Sequence, residues 1–369
     1  MRPYPGRQAY VRWASRDGAP RSSSAHVRGM ARGFHASMPG YRPTPLVELP
    51  ELAAELGVAA VLVKNESKRL GLPAFKILGA SWAVNRALSQ CSGFDIPAAS
   101  LIELRERAAP ATLVTATDGN HGCAVARMAA LLGLAARIYV PAGMAPETVA
   151  AIRSEGAEVV QTELIYDEVV WAAASSTAGH RNDLLIQDTA WEGYEQIPRW
   201  IVDGYGTLFD EIDEQIGDRD IQLVAVPTGV GSLVQGALQH YRRPARQQPP
   251  AVLAVEPVTA ACVTASLAAG RRVSADTSEP TIMVGLNCGT VSTIAWPAIR
   301  DGLDAAIAVT DEEAAAAMRR LNELGIAAGA CGGSSLAGVR VALGDSGHRT
   351  ALAIGDESAL VLISTDGAV

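Results

Sequence analysis

The segment AFKILGAS, residues 74–81, sets a single lysine, Lys76, in an apolar run at a predicted helix start. Phe75, Ile77 and Leu78 flank this lysine. An ammonium group is costly to bury. Lys76 is therefore predicted either to reach solvent with its stem lying on apolar surface, or to be kept neutral and reactive. The segment by itself leaves both interpretations open.

Four other segments stand where apolar runs end, as the ends of predicted strands do. They are TDGNHG at 117–122, QDTAWEGY at 187–194, PTGVGS at 227–232 and ISTDG at 363–367. Several strand ends of this kind can deliver backbone donors and acid or base groups to one cleft. We expect that cleft to lie beside Lys76, which favours the reactive interpretation of the lysine.

Composition narrows the class of protein. A chain of 369 residues predicts two domains, and 49% hydrophobic residues with 35 glycines are typical of a compact α/β enzyme. The net charge of −8 argues against a nucleic-acid binder. No apolar run approaches the roughly 18 residues that span a bilayer, so no membrane association is expected. Five scattered cysteines predict a soluble, cytoplasmic protein.

The order of apolar runs predicts the fold. From residue 111 onward, short strands alternate with helices of ten or more residues, which indicates right-handed βαβ units around largely parallel sheets. Upstream, the leucines of 46–56 recur at helical spacing and predict a short helix. Residues 92–110 are predicted to form a hairpin of two helices, and 242–250 a surface loop. Arginines cluster in residues 1–33, which predicts a flexible or subunit-contacting arm.

The turn PTGVGS follows a strand and opens a helix. Gly229 and Gly231 let the backbone approach an anion, while Val230 and Ser232 add free amides at the positive end of the helix dipole. The turn lacks the spacing of the dinucleotide fingerprint and the Walker lysine. We predict a phosphate-binding loop, and a glycine turn used only for tight packing is the alternative.

The turn TDGNHG carries an acid, an amide and an imidazole. Asp118 can accept a proton if it is partly desolvated, and Asn120 can donate to a phenolate or carboxylate. An N-terminal cap is the equally weighted alternative for Asp118. His121, at the first turn of a helix, is predicted to be structural or capping.

Two further strand ends contribute polar groups. Asp188 has Trp191 and Tyr194 behind it as possible walls, and it can either cap the next helix or bind substrate. Ser364 and Thr365 place two neutral hydroxyls at the end of the last predicted strand. A hydroxyl facing a pyridine nitrogen leaves that nitrogen largely unprotonated, whereas a carboxylate would hold it as a cation.

One assembly accounts for these parts. A phosphate loop, a reactive lysine, an asparagine for a ring oxygen and a hydroxyl for a ring nitrogen describe pyridoxal 5′-phosphate bound to Lys76 as a Schiff base. The chain also resembles the fold-type II pyridoxal-phosphate enzymes, and within them the diaminopropionate ammonia-lyase family. The resemblance runs from about residue 34 to the C-terminus. It is carried by TDGNHG and by the segments YRPTPLVELPELAAELG, NESKRLGLPAFKILGAS, QDTAWEGYEQIPRWIVDGYGTLFDE and TIMVGLNCG.

The resemblance implies a tryptophan synthase β-like fold and a site. The large cofactor-binding domain would comprise 34–77 and 183–369, and the small domain 78–182. Lys76 and Asp118 would be catalytic bases on opposite faces of the cofactor, so that both enantiomers react. Substrate would contact Asp188, through its distal amine, together with Thr189 and Tyr194. The cofactor would contact Phe75, Asn120 at its ring oxygen, Gly229, Val230, Gly231 and Ser232 at its phosphate, and Ser364 or Thr365 at its ring nitrogen.

The implied enzyme is a carbon–nitrogen lyase that eliminates ammonia from 2,3-diaminopropionate. Released aminoacrylate then hydrolyses to pyruvate and a second ammonia. The resemblance also implies a homodimer, and no metal ligands are predicted. The family's cysteines at the positions of Cys262 and Cys288 could pair, but free thiols are favoured in a cytoplasmic protein.

One departure keeps the substrate open. Where the family has a segment with serine and glutamate near the cofactor, this chain has AGACGGSSLAG at 328–338, with Cys331 and no glutamate. An altered acid beside the ring can change which β-substituent leaves. A dehydratase, racemase or β-replacement enzyme on a serine-like amino acid is the alternative. A non-catalytic relative that only binds the cofactor is less favoured.

Overall fold

The computed structural model describes residues 9–11, 25–94, 96–243, 246 and 248–367. Its strands, in chain order, are β1 (Ala9–Val11), β2 (Leu46–Glu48), β3 (Ala60–Asn65), β4 (Thr112–Ala116), β5 (Ala135–Val140), β6 (Glu158–Gln161), β7 (Asp183–Leu185), β8 (Leu223–Pro227), β9 (Ala251–Pro257), β10 (Ala305–Val309) and β11 (Ala359–Ser364).

The helices are α1 (Ala25–Ala36), α2 (Pro50–Leu56), α3 (Lys76–Cys91), α4 (Leu101–Arg107), α5 (Asn120–Leu132), α6 (Pro146–Ser154), α7 (Tyr166–Thr177), α8 (Gln196–Ile216), α9 (Ser232–Tyr241), α10 (Cys262–Ala269), α11 (Trp296–Gly302), α12 (Asp311–Glu323), α13 (Ala330–Gly344) and α14 (Ser346–Ala351). Two short 3-10 turns lie at Val258–Ala260 and Val284–Leu286. Within the described residues, no helix is long and apolar enough to cross a membrane.

The chain divides into two compact units. The first contains the described parts of 1–23, 43–68 and 209–368, and the second contains those of 24–42 and 69–208. These bounds differ from the domain limits that the sequence suggests, which stay a prediction. Of the predicted arm at 1–33, residues 9–11 form β1 and residues from 25 onward belong to α1, while the rest lies outside the described residues.

The first unit is built on a seven-stranded sheet in the order β1-β10-β9-β8-β11-β3-β2. The five inner strands are parallel, and the two edge strands run antiparallel to their neighbours. Strands β8 to β11 are buried along their whole length, as apolar strands covered on both faces are. Because β8 and β11 are parallel neighbours, the turn after Pro227 and the residues after Ser364 leave the same edge of this sheet.

The second unit is built on a fully parallel sheet in the order β6-β5-β4-β7. Helix α7 packs on β4 through Val169, Val170 and Ala173, which form a buried cluster with Val114 and Ala116. Since β4 and β7 are parallel neighbours, the segments that begin at Thr117 and Ile186 lie at one edge. The predicted α/β architecture of two largely parallel sheets is confirmed.

Two local predictions are wrong. The described residues of 92–110 contain one helix, α4, whose N-cap Ser100 accepts a hydrogen bond from the Glu103 amide. The preceding backbone is held at Ala98, where the Asn85 side chain accepts from the amide and donates to the carbonyl oxygen.

The second correction concerns Leu46, which belongs to edge strand β2, so the predicted helix begins only at Pro50. Proline is favoured at the first helical position because its missing N–H has no partner there. The described residues of the predicted surface loop at 242–250 form no helix or strand, in agreement with the prediction. Its first residue, Arg242, is nevertheless buried, donates to the Gly302 and Pro250 carbonyl oxygens and forms an ion pair with Asp304.

Candidate active site

Lys76 is the first residue of α3, as predicted, and its ammonium nitrogen lies 2.6 Å from Asp188 Oδ2. Burial lowers the pKa of Lys76, but the Asp188 carboxylate raises it by more than burial lowers it. The pKa of Lys76 therefore lies above its ordinary value. Burial raises the pKa of Asp188, while Lys76 lowers it more strongly, to about 2. The two groups therefore form an ammonium–carboxylate pair, and the side chain of Lys76 retains 23% exposure.

Two aromatic rings, those of Phe75 and Tyr205, lie beside this pair. The Lys76 nitrogen lies 5.6 Å from the centre of the Phe75 ring, and the Tyr205 ring lies 4.8 Å from that of Phe75. Tyr205 is buried, and its hydroxyl has no hydrogen-bond partner among the described residues. A β-carbon on Gly79 would approach the Tyr205 ring to 2.5 Å, which explains a glycine at this position. Tyr205 was missed by sequence reasoning, because it lies in the middle of α8.

Asp118 follows β4 in a turn that Thr117 organises. The Thr117 hydroxyl accepts hydrogen bonds from the amides of Gly119 and Gly122, both at 2.9 Å. Gly119 is the N-cap of α5, so the capping interpretation of Asp118 is wrong. Burial raises the pKa of the Asp118 carboxyl to about 6, although the Lys76 charge lowers it. A carboxyl of this pKa is ionised at neutral pH and can accept a proton.

His121 ties α5 to the end of β7. Its side chain is 2% exposed and its Nε2 lies 2.7 Å from the Ile186 carbonyl oxygen. Burial lowers the pKa of His121, which makes the imidazole neutral, so Nε2 carries the proton and donates to that carbonyl. Nδ1 lies 3.9 Å from Asp188 Oδ2 and makes no hydrogen bond within the described residues. These contacts agree with the structural role predicted for His121.

Gln187 fixes the backbone that carries Asp188. Its side-chain oxygen accepts from the Thr115 hydroxyl at 2.9 Å and from the Ala116 amide at 3.0 Å. The backbone amide of Gln187 donates to the Tyr194 hydroxyl at 2.9 Å, and that hydroxyl donates to the Leu185 carbonyl oxygen at 2.8 Å. The Tyr194 hydroxyl is thus engaged by backbone groups.

Two more predicted site residues of this segment have clear placements. Thr189 is half-buried, and Trp191 stacks on Tyr194 with ring centres 4.4 Å apart. Helix α8 begins at Gln196, eight residues beyond Asp188, so Asp188 does not cap it. The side chain of Asn120, the first residue of α5, forms no hydrogen bond with the described residues and is available to a ligand.

In the first unit, the glycine loop leads from β8 into α9. Gly231 is the N-cap of α9 with φ +93°, a backbone conformation that favours glycine. A β-carbon on Gly231 would lie 2.6 Å from Ile299 Cδ1, and one on Gly229 would lie 2.8 Å from Cys288 Sγ. The Val230 carbonyl oxygen accepts from the Ser292 amide at 2.9 Å. The loop is thus held close to its neighbours, and it presents the amides of a ten-residue helix.

Ser364 ends β11, Thr365 follows it, and both hydroxyls are buried. The Ser364 hydroxyl has no hydrogen-bond partner among the described residues, whereas the Thr365 hydroxyl acts on the neighbouring Asp366 carboxyl. Buried polar atoms in native proteins are nearly always paired, so the Ser364 hydroxyl is suited to a bound polar group. A β-carbon on Gly332 would lie 2.7 Å from Ser364 Oγ, so the start of α13 packs directly on this hydroxyl.

Asp366 follows these hydroxyls, and sequence reasoning did not single it out. Its Oδ1 accepts from the Gly332 amide at 2.6 Å, and burial raises the pKa of its carboxyl to about 6. The carboxyl therefore accepts a hydrogen bond from the first turn of α13, the helix that contains Cys331 at its start. The signal available in the sequence was an acid directly after two hydroxyls at a strand end.

None of the five cysteines, Cys91, Cys123, Cys262, Cys288 and Cys331, forms a disulfide, as favoured from the sequence. Cys262 and Cys288 both neighbour Gly229: the Cys262 thiol lies 3.7 Å from the Gly229 carbonyl oxygen. Burial raises the pKa of Cys262 well above its ordinary value, so this thiol is protonated. The described residues contain no cluster of three or more metal-ligating side chains.

These residues fit pyridoxal phosphate. One unit offers a glycine loop for the phosphate and, at Ser364, a buried hydroxyl suited to a pyridine nitrogen. The other unit offers a lysine amine, an asparagine amide without a partner among the described residues, and two carboxylates. The Ser364 hydroxyl, which has no partner among the described residues, is the observation that tests the fit, because an apolar or fully paired environment would not accept a ring nitrogen.

Known proteins are similar to this chain in sequence and in architecture. A family model described as pyridoxal-phosphate dependent enzyme matches residues 37–365. Diaminopropionate ammonia-lyase of Escherichia coli strain K12 is 38% identical over 350 residues, which cover 92% of this chain and 87% of the relative. The Salmonella typhimurium LT2 enzyme of the same name is 38% identical over 296 residues, covering 78% of this chain and 73% of that one.

Solved structures agree. The crystal structure of the Escherichia coli diaminopropionate ammonia-lyase in complex with D-serine superposes with a TM-score of 0.89 at 34% identity, covering 97% of this chain and 94% of the other. A structure of that enzyme with an aminoacrylate–PLP azomethine intermediate gives a TM-score of 0.86. Maize serine racemase, at 24% identity, shares the fold with a TM-score of 0.76. The chain is therefore a fold-type II enzyme that belongs to the pyridoxal-phosphate dependent enzymes and, among them, to the diaminopropionate ammonia-lyase family.

Proposed function

We propose that this enzyme eliminates ammonia from 2,3-diaminopropionate of either hand, giving pyruvate and two molecules of ammonia with uptake of one water. The relatives that carry this activity in their names are 38% identical over most of their length. The structural observation that carries the proposal is the group formed by Lys76, Asp188 and Asp118. It supplies an amine, a permanently ionised carboxylate and a carboxyl that titrates near neutrality.

Pyridoxal phosphate, when bound, supplies an electron sink for the carbanion that forms as the α-proton leaves. We assign its covalent attachment to Lys76. The glycine loop of Gly229, Val230, Gly231 and Ser232 would hold its phosphate, and the hydroxyl of Ser364 or Thr365 would face its ring nitrogen. Asn120 would donate to its ring oxygen, and Phe75 would support it from the start of α3.

Two groups exchange protons with the substrate. Once released by the incoming amino acid, the Lys76 amine takes the α-proton of one enantiomer. Asp118 takes the α-proton of the other, and its raised pKa of about 6 makes it a stronger base than an ordinary carboxylate. Two bases on opposite faces explain how one site handles both hands of the substrate.

Asp188 holds the distal ammonium of the substrate. Its carboxylate, with a pKa of about 2, stays ionised and already binds one ammonium, that of Lys76, at 2.6 Å. The substrate ammonium would take the same position, next to Thr189 and the ring of Tyr194. A cation held in this way is oriented for departure as ammonia.

Two measurements test the proposal. Borohydride reduction of the holoenzyme followed by peptide mapping should place the cofactor on Lys76. Incubation of the holoenzyme with 2,3-diaminopropionate should yield pyruvate, with two ammonia released for each pyruvate. A label on another lysine refutes the site, and the absence of pyruvate from 2,3-diaminopropionate refutes the reaction.

A second candidate is elimination or inversion of a serine-like amino acid. The segment around Cys331 supports this second candidate, because the segment lacks the glutamate that the family has there. The first turn of its helix instead donates a hydrogen bond to Asp366. A panel of β-substituted amino acids, scored for pyruvate, inverted product and coupled product, separates the two. We also propose a cytoplasmic homodimer, which light scattering of the purified holoenzyme and cell fractionation would test.

A further inference from the structure

A second pocket lies in the unit that contains residues 69–208. It is formed by the C-terminal half of α3, the segment that follows that helix, and the first turns of α8. Its volume is about 280 Å³, and its lining residues are Arg86, Ser89, Gln90, Phe94, Ile96, Pro97, Gln196 and Trp200. This volume is near the lower limit of small-molecule sites, so the pocket suits a ligand of a few heavy atoms.

Arg86 is the charged group of this pocket. Its guanidinium carbon lies 4.9 Å from the centre of the Trp200 ring and 5.8 Å from that of Trp82. No oxygen of the described residues accepts a hydrogen bond from Arg86, although the charge of Asp203 acts on it. Burial lowers the pKa of Arg86, but a guanidinium keeps its proton at neutral pH. The two indole rings therefore hold a cation whose donors have no acceptor among the described residues.

The other walls add a few polar groups and one apolar edge. Gln90 and Gln196 carry amide groups that can donate to an anion. Phe94 is fixed from outside by Arg107, whose guanidinium carbon lies 3.9 Å from its ring centre. Ile96 is 72% exposed and forms the apolar edge with Pro97. A planar carboxylate fits the donor fork of an arginine, and a short aliphatic group fits the edge beside it.

We propose that this pocket binds a small organic carboxylate with a short apolar side chain, held by Arg86. The site is distinct from that of Lys76. Both residues lie on α3, ten positions apart, which separates them by about 15 Å along the helix axis. The pocket lies at the opposite end of the α3–α8 pair from the place where Gly204 of α8 packs on the Leu78 carbonyl oxygen, close to Lys76.

Ligand-observed NMR on the holoenzyme tests this proposal. The probe is 2-methylpropanoate, which has no amine and cannot be processed as a substrate. Its uncharged analogue 2-methylpropanamide and inorganic phosphate are titrated beside it. We expect the carboxylate to bind more tightly than the amide and the phosphate. Loss of a charge-assisted, bidentate contact in Arg86→Met should weaken carboxylate binding about tenfold or more.

Two further variants localise the effect. Gln196→Glu places a negative charge at the edge of the pocket, which should repel the carboxylate and weaken its binding. At the start of α8 a negative charge is favourable for the helix, so the variant should fold. Arg199→Met removes a neighbouring arginine that is paired with Glu195 outside the pocket, and it should bind as the wild type does. The proposal is overturned if the wild type does not bind the carboxylate, if amide or phosphate binds equally well, or if Gln196→Glu binds unchanged.

Discussion

The ammonium nitrogen of Lys76 lies 2.6 Å from Asp188 Oδ2 in a pair that is largely buried. Asp188 keeps its charge down to a pH of about 2, since the lysine lowers its pKa against the effect of burial. A buried carboxylate that never protonates in the working range needs a cation at all times. Lys76 meets that need in the structure, and under the proposed function the distal ammonium of a bound substrate would meet it.

Replacing Asp188 with asparagine should therefore discriminate between substrates. We expect kcat/KM for 2,3-diaminopropionate to fall about 10- to 100-fold, the effect of losing one charge-assisted hydrogen bond. β-Chloroalanine, which has no distal amine, should lose no more than about threefold. Asp183→Asn is the matched control, because Asp183 lies at the start of the same segment and pairs with Arg137. Equal losses on both substrates would show that Asp188 acts only through Lys76.

Asp118→Asn should separate the two enantiomers. Removing a general base lowers the rate about 100-fold or more, and we expect that loss with D-2,3-diaminopropionate. The L-isomer, whose proton we assign to Lys76, should keep its rate within about tenfold. Pyruvate release from each pure enantiomer measures both. A variant that loses only the L-isomer reverses the assignment of faces.

The pH dependence of the D-isomer should report Asp118 directly. Burial raises the pKa of this carboxyl to about 6, so it is ionised and competent above that pH and protonated below it. The rate should thus fall about tenfold for each pH unit below 6, and the acid limb should be absent from the residual activity of Asp118→Asn. A limb centred near pH 4 would mean that the carboxyl is not desolvated in the holoenzyme.

The same raised pKa affects stability. The folded state binds the Asp118 proton more tightly than the unfolded chain does, so its contribution to stability is fully present below pH 3.8 and is lost as pH rises through about 6. Asp118→Asn, which resembles the neutral acid, should therefore melt at a higher temperature than the wild type at pH 8. The difference should shrink at pH 4. Equal melting temperatures at pH 8 would contradict a desolvated carboxylate.

The sequence predicted those features of the fold and site that depend on residues close to one another in the chain. Polar residues at strand ends singled out Asp118 and Asp188, which follow neighbouring parallel strands of one sheet, and the glycine loop, which follows a strand of the other sheet. Contacts between distant segments were not readable. The side chain of Asn85 fixes the backbone at Ala98, thirteen residues away, and thereby prevents the predicted second helix before α4.

The same limit explains the residues that were missed. Asp366 and the Gly332 amide that it accepts from are 34 positions apart, and no local pattern joins them. Tyr205 and Gly79 come together only through the packing of α8 on α3. The capping interpretation of Asp118 was reasonable from its position before a helix. It failed because the Thr117 hydroxyl already accepts from the amides of that turn.

The glycine loop offers a prediction that separates backbone strain from loss of the cofactor site. Gly231 has φ +93°, and an added β-carbon would also meet Ile299 Cδ1 at 2.6 Å. Gly270 has φ +67° with nothing within 4 Å of an added β-carbon, so it carries the strain without the clash. Both alanine variants should lose about 1–3 kcal/mol of stability from the strained backbone.

Only Gly231→Ala should weaken binding of pyridoxal phosphate, by about tenfold or more, because the β-carbon displaces the amides that we assign to the phosphate. Titration of each apoenzyme with the cofactor, followed by its absorbance, measures the affinity. Gly270→Ala should bind as the wild type does, since α10 ends there in open space. If Gly231→Ala binds the cofactor normally at a temperature where it is folded, the phosphate does not rest on this loop.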